Sequence, residues 1–154
     1  MNMASMKKSM TEYDLIVVGG GAAGMFSAGT AAKTQRVLLL EKNRDFGKKL
    51  RITGKGRCNV TNDCQPEDVL QNVVTGSRFL YSSVWGFPPQ QVKAFFEEIG
   101  VPLKTERGSR VFPVSDRAGD IVDALVRWAG HAGVEMRRGA VKRLLISGGS
   151  VQGP

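Results

Sequence analysis

From Asp14 to Gly24 the chain reads Asp-Leu-Ile-Val-Val-Gly-Gly-Gly-Ala-Ala-Gly, an apolar run that enters a glycine cluster and continues into the small-residue segment 25–32. No other stretch constrains the fold as strongly. It predicts strand, tight turn and helix, with Gly19, Gly21 and Gly24 in the G-x-G-x-x-G spacing of a dinucleotide-binding βαβ unit. Gly19 suits the sharp exit from the strand, Gly21 has no Cβ to block a pyrophosphate, and Gly24 lets helix and strand pack closely. The free N–H groups of the first helical turn and the helix dipole favour a bound anion.

A second apolar run, Val37 to Leu40, ends in Glu41, 22 positions after Gly19. An acidic side chain at about this offset accepts hydrogen bonds from a ribose diol. A glutamate also disfavours a 2′-phosphate on that ribose, because two negative groups would meet at close range. The fingerprint alone leaves NAD and FAD both open.

The 154 residues suffice for one α/β domain with its own core. Residues 1–11 carry Lys7 and Lys8 without a continuous apolar stretch, so they read as a flexible leader and not as a secretory signal or membrane anchor. Apolar runs fall well short of the ~20 residues of a membrane span. Two cysteines give no disulfide framework, which favours a cytoplasmic location, and with the lone His131 they supply no four-ligand metal set.

The formal charge of +8 is concentrated. Lys42, Arg44, Lys48, Lys49, Arg51, Lys55 and Arg57 share one window with only Asp45 opposing them. Such a cluster either follows a nucleic-acid backbone or neutralises a cofactor pyrophosphate and an anionic substrate. A basic nucleic-acid-binding module is therefore an alternative from a different class.

Segment 47–62 has little periodicity and reads as a ligand-contacting loop. Residues 66–72 suggest a short helical turn, and residues 78–85 a helix whose aromatic side chains belong to the core. Pro88-Pro89 opens a clearer helix with Val92, Phe95, Phe96 and Ile99 on one face and Gly100 as its stop. Residues 101–106 and 110–113 form a hairpin around Arg107-Gly108-Ser109, and Ser115 or Asp116 caps the next helix. In that helix Ile121, Val122, Leu125, Trp128 and Ala129 make one apolar face. Residues 134–137 and 141–146 read as further strands, with Ser147-Gly-Gly-Ser150 as a turn.

Gly19 to Gly24, Glu41-Lys42, the segment Lys49 to Asn62 with Gly56-Arg57-Cys58-Asn59, and Lys104 to Ser115 with Phe112-Pro113 together resemble the amino-terminal part of the BaiN-like, aminoacetone-oxidase-like NAD(P)/FAD-dependent oxidoreductases. The resemblance covers most of the chain from Tyr13 onward. It implies a Rossmann-like FAD-binding domain over residues 12–154, with a glutathione-reductase-like βαβ unit, incomplete at its carboxy terminus. It implies FAD as cofactor and NAD(P)H as a candidate electron donor, a small-molecule substrate, and no nucleic-acid partner or membrane. By the same resemblance Gly19, Gly21, Ala22, Ala23 and Gly24 hold the pyrophosphate, with Met25 and Lys42 among the cofactor contacts. Glu41 would hold the adenosine ribose, Gly56, Arg57, Cys58 and Asn59 the flavin side, and the Val141 backbone the adenine. Family members are more than twice as long, so the resemblance implies that this stretch alone lacks the substrate pocket, does not turn over a substrate and binds FAD poorly. No catalytic residue is assigned. Cys58 and Cys64, with five residues between them, do not match the C-x-x-x-x-C of flavin disulfide reductases, and a catalytic disulfide is not expected.

Overall fold

The computed structural model describes residues 12–153, so the expected leader lies outside the described residues. β1 (Leu15–Val18) leads through a glycine turn into α1 (Ala22–Ala31), and the chain returns as β2 (Val37–Glu41). Next come α2 (Lys48–Ile52), a 3-10 turn at Thr53–Gly56, β3 (Thr61–Asn62), α3 (Pro66–Gln71), α4 (Ser77–Gly86) and α5 (Pro89–Glu98). A hairpin of β4 (Leu103–Glu106) and β5 (Arg110–Pro113) precedes α6 (Ala118–His131), β6 (Glu135–Arg138) and a last hairpin of β7 (Leu145–Ser147) and β8 (Ser150–Gly153).

β1, β2 and β6 form a parallel sheet in that order, with Leu15 opposite Val37 and Leu38 opposite Glu135. Parallel strands covered on both faces need near-continuous apolar sequence, and the central strand has it: Val37, Leu38 and Leu39 are all buried. β3, β5 and β4 make a separate antiparallel sheet. The core joins Met25 and Ala28 of α1 to Leu39 and to Ile121, Leu125 and Ala129 of α6. Close approach of the two helices requires a glycine, because a Cβ on Gly29 would lie 2.3 Å from the Trp128 ring. Trp128 stacks on Phe26 and meets Phe95 edge-on, with centroids 5.6 and 4.9 Å apart. No described helix is long and apolar enough to cross a membrane.

Four local expectations change. Segment 47–62 is not wholly loop: α2 forms after Gly47, whose left-handed φ of 66° places it where a Cβ would meet Val122 at 2.7 Å. The α4 aromatics are outside the core, with Phe79 87% exposed. Apolar residues are spread around that helix, and Leu80 and Val84, four apart, are its half-buried ones, while Tyr81 and Trp85 pack on each other with centroids 6.1 Å apart. Neither Ser115 nor Asp116 caps α6: its N-cap is Arg117, without a side-chain cap, while Ser115 Oγ accepts only the Arg117 N–H and the Asp116 carboxylate is held by Arg57 and Lys104. Of residues 141–146 only Leu145 and Ile146 are in a strand, because β7 finds its partner in β8 and not in the parallel sheet.

Candidate cofactor site

The site lies at the carboxyl edge of the parallel sheet, where strand ends and helix starts leave backbone groups unpaired. Gly19, at φ +107°, turns the chain out of β1 while its N–H donates to the Leu40 carbonyl at 2.8 Å. That turn brings the Gly19 carbonyl under α1 so closely that a Cβ on Gly24 would lie 1.8 Å from it. At Gly21, the N-cap of α1, a Cβ would meet nothing within 4 Å, so the approach to the helix start is open. No side chain caps α1 and no acidic residue occupies its first turn. The first-turn N–H groups and the positive end of the helix dipole therefore face that approach without a side-chain cap, an arrangement that favours a bound phosphate. Met25 does not share this role through its side chain, which is fully buried, and its N–H donates to the Gly21 carbonyl at 2.9 Å.

Glu41 ends β2 beside the turn and is only 8% exposed. Its Oε2 accepts the Gly20 N–H at 2.7 Å, and its Oε1 accepts the Asn43 backbone N–H at 2.8 Å and the Asn43 side-chain amide at 2.6 Å. The Asn43 N–H, foremost, and the Gly20 N–H stabilise the charged form and hold this carboxyl below the usual carboxylate range despite its burial. Three of about four acceptor positions are thus filled, leaving one open on Oε2. Val141 lines a cavity of about 420 Å³ with Leu40, Gly139 and Leu145. The Gly139 N–H donates to the Glu41 carbonyl at 2.9 Å, which places this cavity beside Glu41. Lys42 is exposed next to it.

Across from α1 runs the Gly56–Asn59 segment. Cys58 and Asn59 share a largely apolar cavity of about 280 Å³ with Ala22, Ala23 and Phe26 of α1 and with Phe95 of α5. The two motifs that the sequence separates by more than 30 residues are therefore brought to one place. Cys58 is buried, and burial pushes its thiol pKa up, away from the reactive thiolate. Both cysteines are free thiols. Arg57 faces away from the cavity into a charge cluster, donating to Asp116 through Nε at 2.8 Å and to Glu106 through Nη2. The guanidinium beside Glu106 holds that carboxyl below its ordinary range, while Lys104, foremost, and Arg57 do the same for Asp116. Of the basic window, Arg51 and Arg57 are committed to ion pairs with carboxylates, and Lys42, Arg44, Lys48, Lys49 and Lys55 are exposed.

Sequence reading missed two residues of this site. Gly20 lies inside the fingerprint but outside its three defining positions, yet a Cβ there would lie 2.3 Å from the Phe46 ring. Asn43, two residues past Glu41, carries the turn-forming side chain that fixes the carboxylate.

A βαβ turn open at its second glycine, an uncapped helix start and a carboxylate at the next strand end fit a dinucleotide. Residues 13–150 match the HI0933-like protein Rossmann domain. The chain belongs to this family. It is an FAD-binding Rossmann domain of the flavin-oxidoreductase kind. It is 31% identical over 129 residues to the 3-dehydro-bile acid delta(4,6)-reductase of Clostridium scindens, covering 82% of this chain and 29% of that protein. It is 44% identical over 54 residues to the ribosomal RNA dihydrouridine synthase of Escherichia coli K12, covering 34% of this chain and 14% of that one. The chain thus spans less than a third of the length of these curated relatives. Among solved structures, the 3-ketosteroid-delta4-(5alpha)-dehydrogenase of Rhodococcus jostii RHA1 shares the fold, with a TM-score of 0.58 at 16% identity, over 89% of this chain and 40% of that one.

Proposed function

We infer that this chain holds FAD for a flavin-dependent oxidoreductase that moves a hydride or electrons between a reduced nicotinamide and a small organic substrate. The observation that carries the reading is the pairing of an open Gly21 with an uncapped α1 beside the Glu41 carboxylate. In it the α1 N–H groups bind the pyrophosphate, and the free position on Glu41 Oε2 accepts a hydroxyl of the adenosine ribose. The Val141 backbone meets the adenine, and Cys58 and Asn59 face the flavin half across the cavity. Bound FAD supplies the electron-accepting ring, and the residues here orient it and exclude water. Lys42 and its exposed basic neighbours offset the phosphate charge.

The cavity beside Cys58, walled by Phe26, Phe87, Phe95 and Phe96, suits the apolar part of the flavin ring. A small and largely apolar substrate is favoured over RNA by the extent of the similarity, which covers 82% of this chain for the bile acid reductase and 34% for the RNA-modifying relative. FAD titration of a longer protein containing this chain, followed by flavin fluorescence, tests the cofactor. Saturable binding that excess NAD⁺ does not displace supports the reading, whereas NAD⁺ binding with no affinity for FAD sinks it. In a longer protein containing this chain, NAD(P)H oxidation driven by a 3-keto-steroid enone but not by ribosomal RNA supports the substrate class.

A further inference from the structure

Between Gly54 and Cys58 the backbone takes a shape that the chain does not hold by local preference. Gly54, Lys55, Gly56 and Cys58 have φ of 55°, 57°, 85° and 60°. Two of these four are not glycine, and the left-handed region is sterically disfavoured for them. Arg57 alone in this run is right-handed, with φ of −96°. Two backbone bonds close the turn, from Arg57 N–H to Gly54 O at 3.2 Å and from Cys58 N–H to Thr53 O at 3.0 Å. Both are internal to the turn, so neither fixes it relative to the body of the domain.

Cys58, buried in the core, and the Val60 N–H, which donates to the Val111 carbonyl at 2.8 Å, hold the far end of the turn, and the Arg57 side chain is its polar anchor. Its guanidinium lies over the buried Phe112 ring at 4.1 Å and is bonded to Glu106 at the end of β4 and to Asp116 past β5. Lys104 closes the cluster, 2.6 Å from Asp116 and 3.4 Å from Glu106. A planar fork that spans two carboxylates and stacks on a ring fixes direction as well as distance, which a lysine does not. Asp116 is itself left-handed, with φ of 56°, so both ends of the Arg57 to Asp116 bridge are set in unusual backbone.

We propose that Arg57 is a positioning residue: clamped by Glu106, Asp116 and Phe112, it holds the left-handed turn so that Cys58 and Asn59 face the first turn of α1 across the cavity. The role rests on the FAD reading above, in which Cys58 and Asn59 form one wall of the cofactor site. It assigns the Gly56–Asn59 motif two separate jobs: Arg57 points out of the site to fix the turn, and its two successors point in.

Cys58 reports on this without any cofactor, because the residue is only 2% exposed in the held turn. In the full 154-residue chain, Arg57→Met and Asp116→Asn should each raise the rate of Cys58 alkylation at least tenfold, with Cys64 replaced by serine to remove its signal. Arg51→Met, which breaks the exposed ion pair with Asp123, should leave that rate unchanged. Arg57→Lys should behave like Arg57→Met, and 1 M salt should move the parent toward the variants. The melting temperatures of Asp116→Asn and Arg51→Met should stay together, which separates a local release from global loosening. An unchanged Cys58 rate in both Arg57→Met and Asp116→Asn would overturn the proposal, as would an equal rise in Arg51→Met. With FAD as probe, Arg57→Met should bind at least tenfold more weakly than the parent. Equal affinity with an identical flavin spectrum would overturn the link to the cofactor. The FAD comparison is made in a longer protein containing this chain: failure of that parent to bind FAD counts against the cofactor reading, and the thiol rates in the 154-residue chain then still decide whether Arg57 holds the turn.

Discussion

Neighbouring glycines in the fingerprint respond to different physics. Gly21 borders open space and Gly24 borders a carbonyl oxygen. Gly21→Val is expected to leave urea unfolding within about 0.5 kcal/mol of the parent, the range of surface changes, while blocking the phosphate approach. Gly24→Ala is expected to cost more than about 4 kcal/mol, because backbone must move to admit the methyl group. Parallel urea melts and FAD titrations of the two variants check this. If Gly21→Val binds FAD like the parent, the pyrophosphate does not lie there.

Glu41 links stability to pH. Its folded carboxyl is depressed, so its contribution is complete above the unfolded value of about 4.3 and is lost as pH falls through the lower folded value. Glu106 and Asp116 are depressed too and carry the same sign. Unfolding free energy should therefore drop as pH is lowered from about 5 toward 3. Glu41→Gln should flatten that drop and cost roughly 1–3 kcal/mol at neutral pH, since the amide cannot accept all three bonds as the carboxylate does. Urea melts across this pH range decide it, and a slope unchanged by the substitution would take Glu41 out of the acid response.

At the scale of elements, α1 and α6 are matched by one glycine and one tryptophan. Gly29→Ala forces the Trp128 ring to shift and is expected to cost about 1–3 kcal/mol, as overpacking does. Phe79→Ser on α4 is expected to change stability by no more than about 0.5 kcal/mol, although Phe79 is the larger apolar residue. Thermal melts of both variants check the contrast. A large loss from Phe79→Ser would mean that α4 packs against something beyond its described contacts. The period-3.6 patterns of α5 and α6 were legible because one face of each is apolar, and both helices formed where expected. α4 and α2 were less legible, since the apolar residues of α4 surround its axis and α2 depends on the Gly47 turn against Val122.

At the scale of the whole molecule, β1 is an edge strand of the parallel sheet among the described residues, and its last residue, Val18, is 57% exposed. An apolar edge with unpaired backbone groups is a template for another chain. The 154-residue chain is expected to self-associate with rising concentration, and Val18→Lys to suppress this without lowering the melting temperature. Light scattering across a concentration series tests it, and equal scattering from parent and variant would show that the β1 edge is not the contact.

Sequence alone determined the βαβ unit, because a β-branched run, spaced glycines and a strand ending in Glu41 are local patterns with few structural solutions. It also singled out the Gly56–Asn59 segment as a candidate for the flavin side, through its resemblance to a family of flavin enzymes. Only tertiary structure decided how these parts act. Whether Glu41 is free or already bonded depends on the Gly20 N–H and on Asn43, and whether Arg57 faces the site depends on carboxylates 49 and 59 residues away. Spacing encodes periodicity along a chain. The partner of a charged side chain is set by which distant strands and turns converge on it, and that appears only once the chain has packed.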